Sequence, residues 1–190
     1  MKVSEQKIIV CCPQAVTGGP ELLHQLVHEL RGMGRDARIA YYPFEKSFSC
    51  PEPYQGYDAP QGPLIDAPDT FVLLPETATW VSRHLRRARV GGCWLSVDNY
   101  FLAHHQSIFK DVYHRFASLV RGYRGRIRGR VPLAGMRHLV HFTQSRYAAS
   151  FLAGAGLDSA PLTDYLGSDH LARPFVRGAR VKEDIIVFNP

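Results

Sequence analysis

No apolar run in this chain approaches the roughly 18 residues that a membrane-spanning helix requires. The opening "MKVSEQKIIV" has too short an apolar stretch and no small-residue cleavage site, so a secretory signal is not expected. The sequence therefore reads as cytoplasmic. Of the four cysteines, Cys11 and Cys12 are adjacent in an apolar run, while Cys50 and Cys93 stand alone. The lack of any CxxC pair speaks against a zinc knuckle or a redox dithiol, and the thiols read as small buried hydrophobes. Neither GxGxxG nor a Walker A loop occurs, so no dinucleotide or nucleoside-triphosphate fingerprint follows the first apolar run. Internal repeats, heptads and low-complexity segments are missing too.

What is present is an ordinary globular composition: 190 residues, 45% hydrophobic and 21% charged, enough for one well-cored domain. The net charge is +6, and much of the excess lies in "RGYRGRIRGRVPLAGMR", residues 121–137, which carries six arginines and no acid. Arg121, Arg124, Arg126, Arg128 and Arg130 recur at short spacing there. The tract reads either as a solvated loop or as a contact for phosphate groups or anionic lipid. It has no nucleic-acid fingerprint around it, so no nucleic-acid partner is expected.

Along the chain, apolar runs alternate with helical patterns. Lys7–Cys12 reads as a strand buried on both faces, Pro20–Gly34 as a helix, and Ala37–Tyr42 as a second strand. In the helix, Leu22, Leu23, Leu26, Val27 and Leu30 form one apolar stripe. Residues 43–68 read as a long irregular loop, of the kind usually functional or mobile. Strands follow at Thr70–Leu74, Gly92–Val97 and Leu139–Phe142, a short one at Pro161–Leu166, and a last one at Ile185–Phe188. Helices are expected at Thr77–Arg87, His104–Leu119 and Ser145–Ala155. This alternation predicts an α/β protein with a Rossmann-like, doubly wound, mostly parallel sheet and helices on both faces.

In such sheets ligands bind beyond the carboxyl ends of the strands. The polar residues expected there are Thr17-Gly18-Gly19-Pro20-Glu21, Pro75-Glu76, Asp98-Asn99 and Thr143-Gln144-Ser145. Gly18-Gly19 before a helix N-terminus reads as a tight turn or as a cradle for a phosphate or sugar hydroxyl. Glu21, His24 and His28 fall on the helix face opposite the leucine stripe. Without a further ligand, that set makes no metal site, and none is expected. Asp98 reads as a general base, as a holder of a sugar hydroxyl, or as an Asx turn closing its strand, and Glu76 carries the same alternatives.

The segments "VTGGPELLHQLVHEL", "LLPET", "WLSVDNYF", "HFTQSRYAASFLAGAGL", "LTDYLGSDHL" and "EDIIVFNP" follow one another in that order. Together they resemble the N-terminal half of GT-B glycosyltransferases, in particular the bacterial group 1 surface-polysaccharide enzymes with a TGGPE–LHQL signature. The resemblance implies an acceptor-side domain over residues 1–180, and over 181–190 a linker and the first strand of a donor domain. It implies that Gly18 and Gly19 approach the donor and that Asp98 and Glu76, the candidate catalytic residues, lie on the acceptor side; Thr17, Glu21 and His24 complete the candidate donor-phosphate loop. Asn99, Tyr100 and Ser145 would lie on the acceptor side, with Ser145 capping its helix. The implied partners are a nucleotide-sugar donor and a glycan or lipid-linked acceptor, with no metal or other cofactor. The arginine tract would meet anionic headgroups or a lipid diphosphate at the membrane surface. The donor domain's phosphate and ribose ligands do not occur before Pro190, so these residues alone are expected to turn over nothing. The alternatives are a non-catalytic Rossmann-like module binding a glycan or a partner, and a subunit of a split glycosyltransferase.

Overall fold

The computed structural model describes residues 6–105 and 130–165. Six strands make one sheet in the order β2-β1-β3-β4-β5-β6, with every neighbouring pair parallel. In chain order they are β1 (Lys7–Pro13), β2 (Asp36–Tyr42), β3 (Thr70–Pro75), β4 (Arg89–Trp94), β5 (Val140–Thr143) and β6 (Ser159–Pro161). Among the described residues three α-helices accompany them: α1 (Gly18–Gly32), α2 (Val97–His105) and α3 (Arg146–Gly154). Short 3-10 helices lie at Glu52–Tyr57, Glu76–His84 and Leu133–Met136. This is the expected α/β, Rossmann-like architecture. Among the described residues no helix is long and apolar enough to cross a membrane.

The central strands are apolar throughout because both faces of the sheet are covered. On one face α1 packs Leu22, Leu23 and Val27 against Val10, Cys12, Ile39, Leu73 and Cys93. On the other, Ala78, Trp80 and Val81 cover Ile9, Cys11, Val72 and Leu74. Farther along that second face, α2 and α3 bring Val97, Tyr100, Ala148 and Leu152 onto Trp94. Successive strand residues point to opposite faces, which is why Cys11 and Cys12 are both buried yet belong to different cores. Gly91 is needed in β4 for close approach: a Cβ there would lie 2.6 Å from Phe71 Cζ and 3.2 Å from Val140 O.

Three expectations differ from the observed elements. β4 ends at Trp94 rather than Val97, because Val97 is buried as the first residue of α2 and only looks like a strand continuation. The segment after β3 forms a 3-10 helix over Glu76–His84, with a kink at Ala78 (φ −118°, ψ 20°), rather than an α-helix to Arg87. Residues 86–88 turn away because their N–H groups donate to the Asp66 carboxylate at 2.8–3.0 Å. The sixth strand is Ser159–Pro161, ahead of the expected position. The helix expected at His104–Leu119 lies outside the described residues beyond His105, as does the strand expected at Ile185–Phe188.

The loop after β2 is tied down rather than irregular throughout. Tyr54 Oη donates to Thr17 O (2.8 Å), Tyr57 Oη to Glu21 Oε1 (3.0 Å), and His28 Nδ1 to Tyr57 O (2.7 Å). It forms a second layer over α1, and that layer overturns the placement of His24. The helical wheel puts His24 opposite the leucines, yet it is fully buried. Tyr54 stacks on its ring at a centroid distance of 4.7 Å.

Candidate functional site

The chain leaves β1 through α1 on one face and leaves β3 through the 3-10 helix on the other. The β1 and β3 connections therefore diverge at neighbouring strands, a topological switch point of the kind beside which doubly wound sheets bind ligands at their carboxyl edge. Residues 14–18, just beyond β1, are exposed at this edge. Thr17 is the N-cap of α1, but its side chain makes no capping bond. Its carbonyl accepts from Glu21 N (3.2 Å) and from Tyr54 Oη. Pro20 has no N–H, and no hydrogen bond among the described residues takes up the Gly18 or Gly19 amide. Two donors at the positive end of a helix therefore lie at this edge.

Gly18 has open space around it, whereas a Cβ on Gly19 would lie 3.1 Å from Leu95 Cδ1. The second glycine thus lets the start of α1 sit against the β4–α2 turn. Leu95 N in turn donates to Glu76 Oε2 at 3.0 Å. The ends of β1, β3 and β4 meet through this Gly19–Leu95–Glu76 contact. The Ser96 N–H and the Asn99 side chain are also near enough to the Glu76 carboxyl to favour its charged form. Glu76 is 3% exposed. Burial pushes its carboxyl above the usual range, and the N–H groups of Leu95 and Ser96 and the Asn99 side chain pull the other way.

Asp98 does not close a strand but lies in the first turn of α2, exposed beside Asn99. Tyr100, on the next position, is in the core: its hydroxyl donates to Val131 O (2.8 Å) and its ring packs on Trp94 at 5.1 Å. Ser145 caps α3 as expected, its Oγ accepting from Ala148 N at 3.2 Å. Glu21 is held by Tyr57 at the side of α1, and His24 lies beneath the loop rather than at the carboxyl edge. Of the arginine tract Arg130 and Arg137 are described; Arg121, Arg124, Arg126 and Arg128 lie outside the described residues. The Arg130 guanidinium stacks over Tyr100 and Phe101 at 5.0 and 5.1 Å.

The carboxyl edge of the sheet therefore carries the Gly18 and Gly19 amides, the buried Glu76, and Asp98 and Asn99 in the first turn of α2. Tyr100 and His24 belong to the packing instead, Tyr100 on Trp94 and His24 under Tyr54. Among the described residues no group of three or more His, Cys, Asp and Glu side chains could hold a metal ion. Sequence reasoning missed Leu95, the residue on which three strand ends converge, and the tyrosines that pin the loop. Tyr41, Tyr42, Tyr54 and Tyr57 lie within 17 positions of one another, a density that marks a packed loop rather than a free one.

No protein-family model matches this chain, and no curated protein or solved structure matches it either. The fold and the carboxyl edge stand on their own geometry.

Proposed function

We propose that the chain is the acceptor-binding half of a GT-B-type glycosyltransferase that adds a sugar to a surface or lipid-linked glycan. The observation that carries this reading is the carboxyl edge of the sheet. There an uncapped helix start, a buried carboxyl and an exposed aspartate come together on the ends of β1, β3 and β4. Free amides at a helix start suit an anionic phosphate or a sugar oxygen. Asp98, exposed at the rim, is placed to take a proton from an acceptor hydroxyl. Glu76 is a positioning residue, because its oxygens already hold the β4–α2 turn that presents Asp98. The donor nucleotide sugar would bind a second domain facing this edge, with no metal required.

The test is a sugar-transfer assay on the complete gene product, with a panel of nucleotide sugars and lipid-linked acceptors. Acceptor-dependent release of nucleotide, reduced at least about a hundredfold by Asp98→Asn with the fold intact, is the expected result. Release that persists in Asp98→Asn removes the base assignment. No release with any donor removes the enzyme reading. In that case a non-catalytic glycan-binding module is the better description, favoured by the Leu95 main-chain bond that already occupies the buried Glu76.

A further inference from the structure

β2 is an outer strand of the sheet, and its free edge is only partly covered. Ile39 N donates to Pro60 O and Gly62 N donates to Ile39 O, both at 2.9 Å, forming a single bridge of Ile39 to Gln61. Main-chain groups two residues apart on a strand leave from the same edge, so the Tyr41 N–H and C=O also point outward. No backbone hydrogen bond from the 60–64 segment reaches Tyr41, and the pairing stops at Gly62. Just there a groove of about 540 Å³ opens along the sheet edge. Its two walls belong to different cores. Phe48 packs with the α1-side core and meets Tyr41 edge-on at 6.1 Å, whereas Phe44 and Leu64 pack with the core of the opposite face. Lys46 and Ser47 are exposed at the rim. The walls are preformed: the Gln61 carboxamide, oriented to satisfy both its ends, donates to Phe48 O at 2.8 Å and accepts from Cys50 N at 3.0 Å.

The volume is that of a small-molecule site. An added peptide strand does not fit, because only the Tyr41 pair is unpaired between Gly62 and Pro43, which has no N–H. A six-membered ring with one apolar face does fit. Its C–H face would lie on the phenylalanine ring of one wall, with its hydroxyls toward the Tyr41 main chain and Ser47. Lys46 is the one charged residue in the lining, so charge complementarity favours an anion. We propose that this groove at the outer edge of β2 binds a single acidic sugar residue, a hexuronate-type ring. The choice of a sugar rests on the glycan reading above, while the groove lies on a different strand from Glu76 and Asp98.

The test is a titration of the full chain with glucuronate, methyl glucoside and benzoate, followed by ligand-observed NMR. Saturable glucuronate binding in roughly the millimolar range, about tenfold tighter than methyl glucoside, is expected. Lys46→Gln should erase that difference. Ser47→Trp, which fills the mouth from an exposed position, should abolish binding of both sugars with an unchanged Tm. Absent glucuronate binding, or binding unaltered by Ser47→Trp, overturns the site. Benzoate binding as tightly as glucuronate overturns the sugar assignment. A protein that binds glucuronate but transfers no sugar keeps the groove and loses the glycosyltransferase reading; one that transfers without binding does the reverse.

Discussion

Among the described residues the two faces of the sheet each bury one histidine, and they do so with opposite tautomers. On the α1 face, His24 Nδ1–H donates to Pro20 O (2.7 Å) and Nε2 accepts from Tyr41 Oη (2.7 Å). On the other face, His141 Nε2–H donates to Met136 O (3.0 Å) and Nδ1 accepts from Trp94 Nε1 (3.2 Å). Both rings are neutral and doubly bonded, as buried polar groups must be. Their settings differ. His24 stands in a hydrogen-bonded tyrosine network that ties a loop to a long regular helix. His141 stands beside stacked aromatic rings under short helices, with Trp94 at 5.1 Å from Tyr100 and 5.9 Å from Phe151. One face is held by direction-specific polar bonds, the other mainly by aromatic area.

The sharpest test of that contrast is Trp94→Ala, which removes the largest fully buried side chain. It should cost about 3–5 kcal/mol, measured by urea unfolding, because the surrounding rings cannot all close the hole. A loss below 1 kcal/mol would break the picture of an aromatic-held face.

The histidines predict a pH dependence common to both faces. Burial lowers the pKa of each below the usual 6.5, so the unfolded chain binds more protons in acid. Their contribution is therefore full above that value and is lost as pH falls below it. The slope is at most about 1.4 kcal/mol per pH unit for each ring. Melts between neutral and mildly acid pH check this, and His141→Gln should flatten the slope. A stability that rises on acidification through that window contradicts it.

Glu76 joins the strand ends at the carboxyl edge of the sheet and gives the next largest effect. Glu76→Ala leaves Leu95 N without its acceptor and should cost about 1–3 kcal/mol. Glu76→Gln keeps an acceptor and removes a buried charge, so it should change stability by less than about 1 kcal/mol at neutral pH. Equal losses in thermal melts of the two variants would show that the charge itself is required.

The smallest effect is expected on the tyrosine network. Tyr54→Phe keeps the stacking on His24 and removes only the bond to Thr17 O, at about 0.5–1.5 kcal/mol. Hydrogen exchange at the start of α1 should quicken more than exchange in α3, and equal changes would mean the network does not hold that helix start.

Much of the architecture was legible in the chain. The apolar runs at β1, β2, β3 and β5 and the leucine stripe of α1 have the periods of buried strands and an amphipathic helix, and these periods are local. Ser145 was legible as a cap because its bond reaches three residues ahead. The end of β4 was not, since Val97 serves either a strand or a helix with the same apolar side chain. His24 was misplaced because a helical wheel sees one helix and not the loop that folds back over it.

For the site, local pattern was enough to tell which residues stand at strand ends: Gly18, Gly19, Glu76, Asp98 and Asn99 all follow apolar runs in a parallel sheet. What each of them meets came from the packing of segments far apart in the chain. Gly19 is small because Leu95 comes to it from the far side of β3, Glu76 is occupied by the Leu95 main-chain amide, and Tyr100 is turned into the core. Strand periodicity is carried by near neighbours, whereas these contacts join residues 19 to 76 positions apart, and no local pattern encodes them.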